Sequence, residues 1–148
     1  MVLHAGTTPS FRRTEANTHR QLRRGGSRYD RSMDEIKGIA RVKFLPGKLE
    51  EWKRLTEQAM DIVRTKDPGT LQYEVFFNGD ETEAIVFERY RDADAALEHF
   101  ANISHLMEPL MATGTITGEV LGTPNETMQA QLGGDEPKLF RPWMAAHE

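Results

Sequence analysis

The sequence predicts an α+β fold of the ferredoxin-like type, a βαββαβ chain with an antiparallel sheet. Three observations predict it. Stretches of period-2 alternation and of helical spacing follow one another in the order β-α-β-β-α-β. The two central strands are separated by Asn78-Gly79-Asp80, a hairpin signal that makes them antiparallel neighbours. The 148 residues, 38% apolar and 28% charged, suit one globular domain with a real core.

Residues 1–32 carry seven Arg and two acidic residues and have too few apolar groups to offset ordering entropy. A disordered basic arm is therefore expected over 1–33. Three readings of it stay open: a start assigned too early, with Met33 as the true start; a transit peptide; or a functional basic tail. Its removal is expected to leave folding and dimerisation unchanged.

The first strand runs from Ile36 to Phe44, with Ile36, Gly38, Ala40, Val42 and Phe44 on one face. Gly38 and Ala40 are small enough to let something approach that face closely. Leu45-Pro46-Gly47 breaks the strand, and a helix follows from about Lys48 to Lys66. Glu50 and Glu51 suit its first turn, while Leu49, Trp52, Leu55, Ala59, Ile62 and Val63 give it one buried face. Asp67-Pro68-Gly69 ends it.

The second strand spans Thr70 to Asn78, with Leu71, Tyr73, Val75 and Phe77 opposite Gln72, Glu74 and Phe76. The third spans Glu83 to Tyr90. Tyr73, Phe76, Phe77 and Phe87 are expected in the core or at an interface. Both faces of this hairpin carry large apolar groups, so both need cover. One helix layer covers one face; a second subunit could cover the other.

Asp92 suits a helix N-cap. The helix is expected to end near Asn102, with Ala93, Ala96, Leu97, Phe100 and Ala101 as its apolar stripe and His99 at the stripe's flank. Ser104 then caps a further turn, which Pro109 should kink. The fourth strand is Thr115 to Gly122, followed by a short helix over Asn125 to Leu132. A last strand over Lys138 to Arg141 is held to an edge by Pro142. Residues 34–142 are thus the expected domain and 143–148 a tail, in which Trp143 is expected to dock on a partner chain.

Several function classes lack support. With no cysteine there is no disulfide framework, thiolate metal site or Cys nucleophile. No Gly-rich phosphate loop, HExxH or Ser nucleophile elbow is present, and no metal is expected. Beyond the arm the chain is acidic, which argues against a nucleic-acid partner. No apolar run approaches the ~18 residues of a membrane span. A cytoplasmic protein without membrane contact is expected.

The strand–turn–helix stretch from Ala84 to His105 concentrates the candidates. His99 is the natural base near neutral pH, or a helix histidine at the core's margin. Glu88 orients His99 or Arg89, or forms a cross-strand ion pair. Arg89 steadies an anion or neutralises a carboxylate. Asn102 ends the helix or binds substrate, and His105 is structural or exposed, or joins the site.

The combination of PGKLEEWKRL, DPGTLQYEVFFN, IVFERYRDADAALEHFAN and a closing EVLGTP resembles the antibiotic biosynthesis monooxygenase family, which includes small quinol monooxygenase-like proteins. The likeness covers about Asp34 to Arg141. It implies a dimeric α/β barrel with two sheets face to face. It also implies oxidation of a quinol or polycyclic aromatic with O2 and no cofactor. His99 matches the family's helix histidine and would be catalytic. Tyr90 falls where many members have Trp and would line the substrate pocket with Glu88, Arg89, Asn102 and His105. Haem-degrading relatives use an Asn on strand one together with a Trp and this His. Here strand one has no Asn and the Trp position is Tyr90, so haem is the alternative rather than the expectation. The other alternative is a non-catalytic dimeric barrel binding a small hydrophobic ligand.

Overall fold

The computed structural model describes residues 31–146. The basic arm expected over 1–33 lies outside them up to residue 30. After a 3-10 turn at Arg31–Asp34, the regular elements are β1 (Ile36–Phe44), α1 (Leu49–Lys66), β2 (Thr70–Phe77), β3 (Glu83–Tyr90), α2 (Ala93–Met111), β4 (Gly114–Leu121), α3 (Glu126–Gln131) and β5 (Lys138–Phe140).

The fold is α+β and ferredoxin-like. Five strands form one open sheet in the order β2-β3-β1-β4-β5, antiparallel throughout except for β5, which runs parallel to β4 at the edge. β1 lies at the centre. Gly38 pairs with Glu88 of β3 and Val120 of β4, and Ala40 pairs with Val86 and Gly118. The hairpin between β2 and β3 is closed by Asn78, whose side chain accepts from the Glu83 amide at 2.9 Å.

The helices cover one face of this sheet. α1 buries Trp52, Leu55 and Ala59. Trp52 meets Phe44 edge-on and joins Val42, Ala84 and Val86 in one apolar cluster. A second cluster gathers Ile36, Tyr90, Ala96 and Val120 with Met128 of α3. A third joins α1 to α2 through Leu55, Ala59, Ile103 and Leu106. Between the first two clusters the helix-facing surface of β1 and β4 is made of Gly38, Ala40 and Gly118.

Three expectations are corrected. α2 does not stop at Asn102 but continues to Met111, and Pro109 is accommodated inside it. Its buried line is Ala93, Ala95, Ala96, His99, Ile103 and Leu106, so Ala93 and Ala96 of the expected stripe are buried as expected, while Ala101 is exposed. Leu97 and Phe100 of the expected stripe are partly buried against the cluster that joins the sheet residues Ile36, Tyr90 and Val120 to Met128 of α3. In β2, the register shifts between Thr70 and Gln72. Leu71 is the extra residue of this bulge and stays 45% exposed instead of joining Tyr73.

No helix among the described residues covers the other face of the sheet. Phe76 is 53% exposed there and Ile85 36%, among Arg41, Lys43, Thr115 and Thr117. A shallow depression of about 640 Å³ lies on it. No helix among the described residues is long and apolar enough to cross a membrane.

Candidate active site

The site begins at the end of α1. Asp67 follows the last helical residue, Lys66, and Pro68-Gly69 turns the chain into β2. Gly69 lies directly against Ala95 of α2, so close that a Cβ there would overlap the Ala95 side chain. Its carbonyl accepts from the Arg91 amide at 2.9 Å. The turn is thereby fixed to the first turn of α2, which Asp92 caps by accepting from the Ala95 amide at 2.8 Å. One turn further along α2, His99 faces Asp67.

The two side chains meet closely. His99 Nδ1 lies 2.6 Å from Asp67 Oδ2. The other carboxylate oxygen, Oδ1, accepts from Asn102 Nδ2 at 2.6 Å. A carboxylate only accepts, so Nδ1 carries the proton. In the neutral ring Nε2 then holds a lone pair. His99 has no exposed surface, and Nε2 has no hydrogen-bond partner. Its nearest charged neighbour is Glu88 Oε1 at 4.0 Å, beyond hydrogen-bond range.

Glu88 comes from β3 and points to the same side of the sheet. Its Oε2 accepts from the Tyr90 hydroxyl at 2.8 Å. On β1 it faces Gly38, where a Cβ would come within 2.8 Å of Oε2. The glycine that sequence analysis marked as a place of close approach therefore makes room for this carboxylate. Aromatic rings surround the histidine: Tyr90 at 5.4 Å, Tyr73 at 5.5 Å and Phe100 at 6.0 Å between centroids.

This setting shifts protonation. Burial pushes the Glu88 carboxyl above its ordinary range, opposed by the nearby His99 and by the Tyr90 hydroxyl. Burial, and then the Glu88 charge, push both Tyr90 and Tyr73 upward, so both phenols hold their protons. A proton-accepting nitrogen and a reluctant carboxylate thus face each other in a water-poor place. That pairing suits general acid–base work.

The structure brings His99, Glu88, Tyr90 and Asn102 together. The position of His99 is a correction, since it is enclosed rather than marginal. Asn102 neither ends the helix nor faces open solvent; it holds Asp67. Arg89 is not part of the group. It projects from the opposite face of β3, 3.7 Å from the Glu35 carboxylate. His105 is also apart, exposed on α2 about one-third of a turn around the helix from the direction of His99. Asp67 was overlooked, having been read only as a helix stop. The available signal was electrostatic, because an anion at the C-terminal end of a helix is disfavoured by the macrodipole and calls for a partner.

Haem does not fit these residues. One nitrogen of His99 is bound to Asp67 and the other faces a carboxylate inside the protein. No group of three or more metal-ligating side chains occurs among the described residues. Two depressions lie elsewhere, one on the open sheet face and one of about 440 Å³ between α1 and β2, lined by Trp52, Met60, Val75 and Phe77.

Comparison with known proteins adds the family. Residues 36–106 match the model of the family described as antibiotic biosynthesis monooxygenase. Among solved structures, MupZ from Pseudomonas fluorescens is similar at 25% identity and a TM-score of 0.67, covering 77% of this chain and 94% of its own. Rv0793 from Mycobacterium tuberculosis shares the fold at 23% identity and a TM-score of 0.55, covering 62% of this chain and 97% of its own. SnoaB, a cofactor-independent oxygenase from Streptomyces nogalater, shares the fold at 15% identity and a TM-score of 0.54, covering 62% of this chain and 95% of its own. No curated protein matches the sequence significantly.

Proposed function

The chain belongs, through residues 36–106, to the antibiotic biosynthesis monooxygenase family, and on that premise we propose that it is a cofactor-independent monooxygenase of quinols or phenolic polycyclic aromatics. The observation that carries the reading is the buried chain Asn102–Asp67–His99, ending in an unpartnered Nε2 beside Glu88. A protein that oxidises a phenol with O2 needs chiefly to take its proton, because the phenolate is itself the reductant. The phenolate passes one electron to O2, and phenoxyl radical and superoxide combine at a ring carbon that bears hydrogen. The resulting peroxide loses water to leave a carbonyl. One phenol and one O2 thus become one quinone and one water, and no outside reductant enters.

Within that scheme His99 is the proton store. Asp67 stabilises the imidazolium that forms, and Asn102 keeps Asp67 in place. Tyr90 and Glu88 arrange the substrate side, and the low local polarity strengthens each of these interactions. SnoaB offers a precedent on the same fold for oxygenase chemistry without a cofactor. The reading includes a homodimer acting in the cytoplasm, with the helix-free sheet face as the surface between subunits.

Oxygen uptake with a panel of naphthohydroquinones and anthrone-type phenols tests it. Wild type is expected to consume O2, and His99→Ala to lose about 10²-fold or more of the rate. Equal rates would remove His99 from the reaction. A second reading, binding of a small hydrophobic ligand without turnover, is favoured by the complete enclosure of His99. Tight binding with no uptake by wild type would select it.

A further inference from the structure

We infer that Glu88, rather than His99, is the group that meets the hydroxyl of a flat phenolic ligand, with His99 as the second station for its proton. The inference rests on the reading of the site given above and names which atom touches the ligand.

Exposure decides the order. His99 and Tyr90 have no accessible surface, and the Asp67 side chain has almost none. Glu88 keeps 14% of its side chain accessible. A ligand can therefore reach the carboxylate and cannot reach the imidazole without opening the core. Beside Glu88 the helix-facing sheet surface is made of Gly38, Ala40 and Gly118, between two apolar clusters; the Glu88 carboxylate itself fills the space over Gly38, and Pro137 lies over Gly118. A ring reaches the carboxylate only where the Glu88 side chain stays accessible. Partly exposed Phe100, Leu110 and Ile116 supply apolar surface around it.

The charged and titratable neighbours of Glu88 agree. β1 offers only Gly38, β2 offers Tyr73, β3 offers Tyr90, and α2 offers His99 backed by Asp67. No Lys or Arg pairs with Glu88 among these. Tyr90 donates to Oε2, which leaves Oε1 to accept from the ligand. The step balances: the ligand's O–H proton moves to Glu88 Oε1, giving phenolate and carboxylic acid. The proton then moves to His99 Nε2, giving carboxylate and imidazolium, with Asp67 as counter-charge. At 4.0 Å the second transfer waits on a small movement of the Glu88 side chain.

The test uses the full chain labelled with ¹³C at glutamate carboxyls, with 1-naphthol as the probe under argon. The Glu88 signal is assigned by its loss in Glu88→Gln. Naphthol is expected to shift that signal. Glu88→Gln is expected to weaken naphthol binding tenfold or more, and His99→Gln to weaken it less than threefold. Gly38→Ala, which crowds Oε2 without removing charge, should weaken binding comparably and move the Glu88 signal before any ligand is added. Absence of naphthol binding by wild type, an unmoved Glu88 signal, or equal affinity in Glu88→Gln overturns the inference. Naphthol bound at Glu88 by a protein that consumes no O2 with any phenol would sink the oxygenase reading and uphold this one.

Discussion

Asp67 holds His99 in one orientation through a contact of 2.6 Å, with both side chains removed from water. Removing the carboxylate leaves Nδ1 unpaired inside the core, and Asn102 loses its acceptor. Asp67→Ala is expected to destabilise the protein by about 3 kcal/mol; chemical denaturation checks it, and a loss under ~0.5 kcal/mol would show the pair to be incidental. Glu88 makes an opposite kind of prediction. Burial raises its pKa in the folded chain, so the folded state keeps this proton to higher pH than the unfolded state. Stability is fully present below the unfolded value and is lost as pH rises through the folded one. Glu88→Gln removes that dependence. Its stability relative to wild type should climb as pH rises from the ordinary glutamate range and then level off; urea melts across pH 4.5–8 measure this, and a flat difference would contradict it. His99 was legible from its residue type beside a helical stripe, Glu88 from its place on the preceding strand, and Tyr90 only through the family resemblance. Asp67 was not, because its partner is 32 residues away and its Asp-Pro-Gly context explains it locally as a stop.

The elements themselves were mostly legible, since strand alternation, the Asp92 cap and the closing Pro-Gly turns each act within a few residues. The departures came where distant groups decide. In α2, Ala93 and Ala96 follow the expected stripe while Ile103 and Leu106 are claimed by α1, and the bulge at Leu71 follows from the pairing of β2 with β3. Two predictions belong here. Asp92→Ala removes the side-chain acceptor at the start of α2 and should cost about 1 kcal/mol, read by thermal or urea melts. Gly69→Ala forces the α1–β2 turn away from Ala95 and so parts Asp67 from His99. It is expected to cost about 2 kcal/mol or more and to lower oxygen uptake with it. A variant of full stability and activity would show that the turn has slack.

For the molecule as a whole, the helices among the described residues cover one face of the sheet and leave the other bare of them. Phe76 and Ile85 are exposed on the bare face beside both charged and hydroxyl side chains. The need for cover, and a second subunit as one way to supply it, was legible from the apolar residues on both sides of the β2–β3 hairpin; the expectation of a face-to-face barrel came only through the family resemblance. We predict a dimer by sedimentation at micromolar concentration, and a monomer for Phe76→Arg combined with Ile85→Arg. A wild-type monomer would remove the barrel.

The enclosure of His99 also has a practical outcome for anyone trying to find the active imidazole by chemical labelling. An acylating reagent added to the native protein will mark solvent-facing His105 ahead of enclosed His99, and turnover should survive that label. Only reagent present while the chain is opened and allowed to close again should strike the imidazole on which the chemistry is proposed to depend. A conventional protection experiment would accordingly point to the wrong histidine.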